Sequence, residues 1–319
     1  MSGEMQEKII AAGQELLRAG LVARTWGNLS ARIDSAHFYC TPSGRNYADL
    51  QLAEIVRCGI DGTFAGDVKP TTERSLHAMI YRERPDAQFI IHTHQPYASA
   101  MSLGNVPYPV PDNLREMIGS EVLPIANYGL PGQKKLHRAI MMELRESRSR
   151  AILMRSHGLL IFGKSAAETI EMALAVEAFC REEYARRASF VPDETERPSV
   201  WNRGDGNFPA EVAAIFQKRE NINVIFSDHH AAVLSHSPKL VPYLDDFAQL
   251  IGIRMTDTPY ANAMFGRQEK NSENRGAVYY FGKDFADAEA ARMVVQKNAL
   301  AATMARVLLR RRSACLTEC

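Results

Sequence analysis

No run in the chain approaches the eighteen or so consecutive apolar residues of a membrane span, so no transmembrane helix is expected. The N-terminal stretch MSGEMQEKIIAAGQELLRAG lacks the continuous apolar block of a signal peptide. Its apolar residues instead recur every third or fourth position up to Gly20, the pattern of an amphipathic helix. A prenylation box is missing too, because position 316 is Leu and the last cysteine is Cys319. Cysteine is scarce and odd in number: Cys40, Cys58, Cys180, Cys315 and Cys319 are scattered without a CxxC pair. That argues against both a disulfide framework and a thiolate zinc site, and it fits a reducing compartment. Net charge is almost absent, with 38 Lys and Arg against 37 Asp and Glu, so no global field marks a nucleic-acid or anionic-membrane binder. The run Leu309-Arg310-Arg311-Arg312 reads as a solvated helix end. A soluble, cytoplasmic protein acting on small molecules is the expectation.

What is present is an alternation of helical and strand-like segments over 319 residues, enough for two domains with separate cores. NLSARI and AHFYCTP are short and strand-compatible, and ERSLHAMIYRERPDA is a helical stretch feeding the apolar QFIIHTH. RAILMRSHGLLIFG then presents two apolar runs broken at Ser156-His157-Gly158, followed by a long helix from about Ser165 to Arg187. The next twenty residues are rich in proline, glycine and charge. We expect a first domain over 1–190, a linker over 191–209 and a second domain over 210–319.

The second domain resembles part of the first. Displacing the sequence by 135 residues lays SLHAMIYRERPDAQFIIHTH, from Ser75, over AEVAAIFQKRENINVIFSDH, from Ala210, without a gap. Ile80 meets Ile215, Arg84 meets Arg219 and His94 meets His229. A displacement of 119 residues lays Phe162-Gly163-Lys164 over Phe281-Gly282-Lys283. The expectation is a tandem duplication whose second copy is degenerate, since His92, Glu73 and His157 are answered by Ser227, Phe208 and Gly276.

His92 and His94 stand at i and i+2 at the end of an apolar run, so a strand presents both imidazoles on one face. A catalytic divalent site needs about three protein ligands and an open position. His157, at the break between two apolar runs, supplies a third imidazole, and Gly158 beside it permits close backbone approach. Strand histidines are also often only hydrogen-bonded, so the spacing alone leaves both readings open. Three polar islands lie where loops are expected: TWGNLSAR, TPSGRN and KPTTE. Hydroxyls, glycine amides and a helix N-terminus are the materials of a phosphate cradle, and equally of ordinary helix capping.

Taken together and in order, GNLS, TPSG, KPTTE, HTH and SHGLLIFGK resemble the class II aldolase/adducin family over about residues 5–187. The resemblance implies an α/β fold, a three-layer α/β/α sandwich with a mostly antiparallel central sheet, followed here by the partial, degenerate repeat. It implies His92, His94 and His157 as metal ligands, Glu73 as the catalytic acid/base, and Asn28, Ser43, Gly44, Thr71 and Thr72 as the phosphate-binding positions. Zinc is the expected ion, although three imidazoles also accept cobalt, manganese or iron. Thr71 and Thr72 stand where the family usually has serines, which keeps the hydroxyls.

The implied reaction is cleavage of a ketose 1-phosphate to dihydroxyacetone phosphate and an aldehyde. A Glu at position 73, where epimerases of the family have Asp, favours the aldolase. Decarboxylation, dehydration or epimerisation of a sugar or sugar-acid phosphate at the same site is the alternative, and an adducin-like binding protein is a second. The family's tyrosine that protonates the leaving aldehyde aligns with Asn113, which leaves Tyr108 and Tyr128 as substitutes. Active sites at subunit interfaces imply a homo-oligomer, either a tetramer or a dimer whose fused copies form a pseudo-tetramer, with no nucleic-acid or membrane partner.

Overall fold

The computed structural model describes residues 2–23, 25–188, 191–193, 196–259, 261–266 and 276–317, without the side chains of 2 and 309–317. Cys315, Cys319 and the side chains of the Leu309–Arg312 run lie outside the described residues. The chain divides into two compact units, residues 1–183 and 184–319. Among the described residues no helix is long and apolar enough to cross a membrane.

The first unit opens with helix α1 (Ser2–Arg18), which buries Ile9, Ala12 and Leu16 at the spacing the N-terminal pattern predicts. Strands β1 (Asn28–Arg32), β2 (His37–Cys40) and β3 (Val56–Gly59) form an antiparallel meander. Helix α2 (Arg74–Glu83) leads into β4 (Phe89–Thr93), and the short α3 (Pro96–Met101) leaves it. A small hairpin of β5 (Tyr108–Pro109) and β6 (Val122–Leu123) brackets α4 (Asp112–Ile118). Then come β7 (Ile125–Ala126), α5 (Lys134–Ser147), β8 (Ala151–Met154), β9 (Gly158–Gly163) and α6 (Ala166–Ala188), within which the boundary between the units falls.

Seven of these strands make one sheet in the order β3-β2-β1-β4-β9-β8-β7, antiparallel throughout except for β7 against β8. Every residue of β4, β8 and β9 is buried, which is why these strands read as continuous apolar runs and not as alternations. One face packs under α2 and α5, where Leu76, Ile80, Leu136 and Ile140 meet Phe38, Ile90, Ile152, Leu160 and Phe162. Helices α1 and α3 also lie against the sheet, and Glu177 of α6 accepts hydrogen bonds from the Tyr97 and Ala98 amides at the start of α3, at 2.8 and 2.9 Å. This is a mixed α/β fold with a central, largely antiparallel sheet between helices.

The second unit contains β10 (Ser199–Asn202), α7 (Ala210–Lys218), β11 (Val224–Asp228), α8 (Ala231–Leu234), α9 (Asp245–Leu250), β12 (Ala263–Phe265), β13 (Val278–Gly282) and α10 (Phe285–Thr317). Its sheet order is β10-β11-β13-β12, all antiparallel. One detail recurs in both units. In the first, Arg32 donates to the carbonyls of Ala87, Tyr81 and Arg84 at 2.8, 2.6 and 3.0 Å, with its guanidinium 4.6 Å from the Tyr81 ring centre. In the second, Arg203 donates to Ile222, Phe216 and Arg219 at 2.8, 3.1 and 2.6 Å, 4.7 Å from the Phe216 ring centre. Each guanidinium thus satisfies the carbonyls where a helix ends before a central strand. Arg32→Ala and Arg203→Ala are each expected to cost about 2–3 kcal/mol, read as a lower urea midpoint, because three carbonyls lose a charged donor.

His236, in the second unit, is buried with Nε2 3.2 Å from Thr303 Oγ1. Burial, helped by the Arg306 charge, pushes its pKa down to about 4. The unfolded chain therefore takes up this proton first: the contribution to stability is complete above about pH 6.5 and is lost as pH falls toward 4, at about 1.4 kcal/mol per unit. Urea midpoints measured between pH 7 and 5 are expected to fall, and His236→Gln to flatten that slope.

Candidate metal centre and active site

The site grows from the register of β4. Its His92 lies opposite Asn28 of β1 on one side and Leu160 of β9 on the other. His94 follows one residue beyond the strand, and His157 directly precedes β9. The three rings converge: His92 Nε2 is 2.9 Å from His94 Nε2 and 3.0 Å from His157 Nε2, with ring centres 4.7–4.9 Å apart. His92 Nδ1 lies 3.0 Å from the Leu159 carbonyl, which can accept only if Nδ1 carries the proton. In the neutral ring Nε2 is then a lone pair aimed at the other imidazoles, the arrangement of a metal ligand with its orientation held from behind.

Close backbone approach makes this convergence possible. A Cβ on Gly27 would sit 2.6 Å from the His92 carbonyl oxygen, and one on Gly158 would sit 2.2 Å from that of Thr93. Gly27 also has φ +88°, and Ser156, just before His157, takes the left-handed φ +60°. That strain beside a ligand is typical of functional backbone.

Glu73, at the start of α2, brings its carboxylate onto the same point. Oε2 is 3.4 Å from His92 Nε2 and accepts a 2.7 Å hydrogen bond from Asn28 Nδ2, while Oε1 is 3.7 Å from His157 Nε2. Burial alone would push this carboxyl up, but the His92 and His157 rings and the Asn28 amide outweigh it and hold the pKa down to about 2. Glu73 Oε1 and Asn28 Oδ1 are both buried without a hydrogen-bond partner. Tetrahedral zinc, with bonds of about 2.0–2.1 Å, needs nitrogens roughly 3.3 Å apart. The ligand atoms of His92, His94 and His157 all lie within 4.8 Å of one another, so the donor set fits one divalent ion.

The polar islands are arranged around this centre unequally. An isolated bridge pairs Pro42 with Pro70, the Ser43 amide donates to the Lys69 carbonyl at 2.9 Å and Thr71 N to Thr41 O at 3.0 Å, which sets TPSG beside KPTTE. Ser43, Gly44 and Thr72 are exposed. Thr71 is buried, and its hydroxyl accepts from the Glu73 amide at 3.3 Å, so it caps the approach to α2. Asn28, expected at the phosphate, donates from Nδ2 to Glu73. Tyr108 is not available as a proton donor: it is buried and its hydroxyl donates to the Met101 carbonyl at 2.8 Å. Ser30 was legible as part of the TWGNLSAR island, but its partners His77 and Tyr81, behind Glu73, were not, because a helix stripe rich in Leu, Ile and Tyr reads as plain core.

The family model for the class II aldolase and adducin N-terminal domain matches residues 7–184. The chain belongs to the class II aldolase and adducin family. It is 31% identical over 182 residues, 57% of this chain and 80% of the relative, to a 5-methylthioribulose-1-phosphate/5-deoxyribulose-1-phosphate aldolase of Rhodospirillum rubrum. An L-fuculose phosphate aldolase of Haemophilus influenzae is 28% identical over 54% of this chain and 79% of its own length. Among solved structures, an L-fuculose 1-phosphate aldolase matches with a TM-score of 0.55 and 24% identity, covering 69% of this chain and 97% of that one, a likeness of fold. Membership in this family, with aldolases as its relatives, makes the chain an aldolase-type carbon–carbon lyase.

If the histidines hold an ion, zinc at a hundredfold excess over its Kd is expected to stabilise the native chain by about 2.7 kcal/mol, seen as a higher melting temperature. The His92→Ala, His94→Ala double variant is expected to show no such shift and to retain no metal on purification.

Proposed function

We propose that the chain is a zinc-dependent aldolase that cleaves a ketose 1-phosphate to dihydroxyacetone phosphate and an aldehyde. The observation that carries this reading is the Glu73 carboxylate lying 3.4 and 3.7 Å from two of three converged imidazoles. The sugar-phosphate aldolases among the relatives supply the substrate class. His92, His94 and His157 would hold the ion, whose Lewis acidity offsets the negative charge that develops on the ketose oxygens as C3–C4 breaks.

The chain's own residues account for the rest. Asn28 pins Glu73 Oε2, which leaves Oε1 for a proton at the carbon released by the cleavage. Burial keeps that carboxylate from bulk water. Ser43, Gly44 and Thr72, exposed beside it, offer amides and hydroxyls to the substrate phosphate, and so set the position of the reacting carbons. Thr71 acts in this reading through Glu73's amide.

Residues 184–319 are, in the same proposal, a degenerate second copy of the fold. The order β10-β11-β13-β12 parallels β1-β4-β9-β8, and β11 (224–228) lies 135 residues after β4 (89–93), the displacement of the sequence match. The paired Arg32 and Arg203 clamps support it. The copy keeps only one of the three histidines, His229 for His94, with Ser227 and Gly276 in the places of His92 and His157, too few to hold the ion in the same way. A homo-oligomer is the proposed working form, most simply a dimer with four such folds, to be checked by light scattering.

The decisive experiment assays dihydroxyacetone phosphate release from a panel of ketose 1-phosphates. Glu73→Gln is expected to lower kcat by about 10²–10⁴ with little change in KM. Bound metal without release from any member of the panel would overturn the aldolase reading in favour of a decarboxylase, dehydratase or epimerase.

A further inference from the structure

Behind Glu73 runs a buried polar chain that the proposed reaction does not use. His77 Nδ1 is 2.7 Å from Ser30 Oγ, and Ser30 Oγ is 2.8 Å from Tyr81 Oη. All three residues are buried in the space between β1 and α2. Positions 73, 77 and 81 are successive turns of one stripe along α2 and its first residue, while 28, 30 and 32 share one face of β1. Strand and helix therefore meet in three rungs: Asn28 with Glu73, Ser30 with His77 and Tyr81, and Arg32 with the carbonyls at the helix end.

The direction of the middle rung follows from satisfying each donor. The Tyr81 hydroxyl has Ser30 as its hydrogen-bond partner among the described residues, and a buried O–H requires an acceptor, so it donates to Ser30 Oγ. Ser30 then has its own proton for His77 Nδ1, which leaves the His77 proton on Nε2. That Nε2 and Glu73 Oε1 are both buried without a partner, a donor and an acceptor one helical turn apart. Burial pushes the His77 pKa down to about 4, so the ring is neutral and holds a single N–H.

The second unit provides an internal control. The two arginine clamps align β1 with β10 and α2 with α7, so Ser30 corresponds to Trp201, His77 to Val212, Tyr81 to Phe216 and Glu73 to Phe208. These four form part of one apolar cluster. The arginine rung is kept where no Glu73 exists, and the polar rung is not. Holding the helix on the sheet therefore does not require the Ser30–His77–Tyr81 chain.

We propose that Tyr81 and Ser30 fix His77 as the Nε2–H tautomer and that His77 is a positioning residue, directing this N–H at the Glu73 carboxylate to hold its free oxygen in line for proton transfer. The proposal rests on Glu73 being the acid/base group. Two readouts on the zinc-loaded protein test it. In ¹⁵N-histidine NMR, His77 is expected to carry its proton on Nε2 in the native chain and to lose that fixed state in Ser30→Ala. In kinetics, Ser30→Ala and Tyr81→Phe are expected to lower kcat about tenfold with KM and metal content unchanged, and to cause no further loss in a Glu73→Gln background. Tyr81→Phe installs the residue found at the matching place of the second unit, so it is the variant that tests the idea should Ser30→Ala fail to fold. A native His77 protonated on Nδ1, or losses that multiply with that of Glu73→Gln, would overturn the proposal. Should the native protein turn over no ketose 1-phosphate, the proposed function fails and the tautomer alone decides this one.

Discussion

The register of β4 between β1 and β9 is the constraint from which the site follows. Pairing His92 with Asn28 on one side and Leu160 on the other fixes three things at once. It points His92 to the α2 face of the sheet, it sets the Asn28 amide where Glu73 arrives, and it brings the turn before β9, with His157, to the end of the same strand. A slip of one residue would send His92 to the opposite face and break all three relations together. The glycines at 27 and 158 belong to this constraint, since any side chain there would collide with the carbonyls of His92 or Thr93.

A second constraint is electrostatic. Glu73 is an ionised carboxylate with almost no solvent, a state that is costly unless positive charge or hydrogen-bond donors surround it. Asn28 supplies one donor, and positive charge at the imidazole cluster, 3.4 and 3.7 Å away, would supply the rest. The dependence also works in reverse: three imidazoles whose Nε2 atoms converge would waste their lone pairs without a cation, and a nearby carboxylate lowers the cost of bringing a cation there. The carboxylate and the three imidazoles are therefore one electrostatic unit, in which no member sits comfortably alone.

Much of this was legible in the sequence, for identifiable reasons. A strand has period two, so HTH told where two imidazoles point, and an apolar run interrupted by Ser-His-Gly told where a third residue breaks away from a buried strand. The order of the loop motifs disclosed the family. The hydrogen bond from Asn28 to Glu73 was not legible, because the two residues are 45 apart in sequence and meet only through the packing of α2 on β1. For Thr71 both capping and phosphate contact were open in the sequence, since a hydroxyl before a helix serves ligand and backbone with the same atom; the structure shows it accepting from the Glu73 amide. Tyr108 stood beside Tyr128 as a substitute proton donor, and nothing in its neighbourhood of sequence reveals that its hydroxyl donates to the Met101 carbonyl.

The two arginine clamps separate what the fold needs from what chemistry needs. Each one ties a helix C-terminus to a strand of its sheet through three carbonyls, and each stacks on an aromatic residue at the same place. The ring beside each clamp is aromatic in both units, but Tyr81 carries a hydroxyl and Phe216 does not. Burying a polar chain costs free energy unless every member is satisfied, and an apolar cluster of the same shape holds two layers together at least as well. A polar rung beside Glu73 is what the proposed proton transfer calls for, since the fold is held equally well without one.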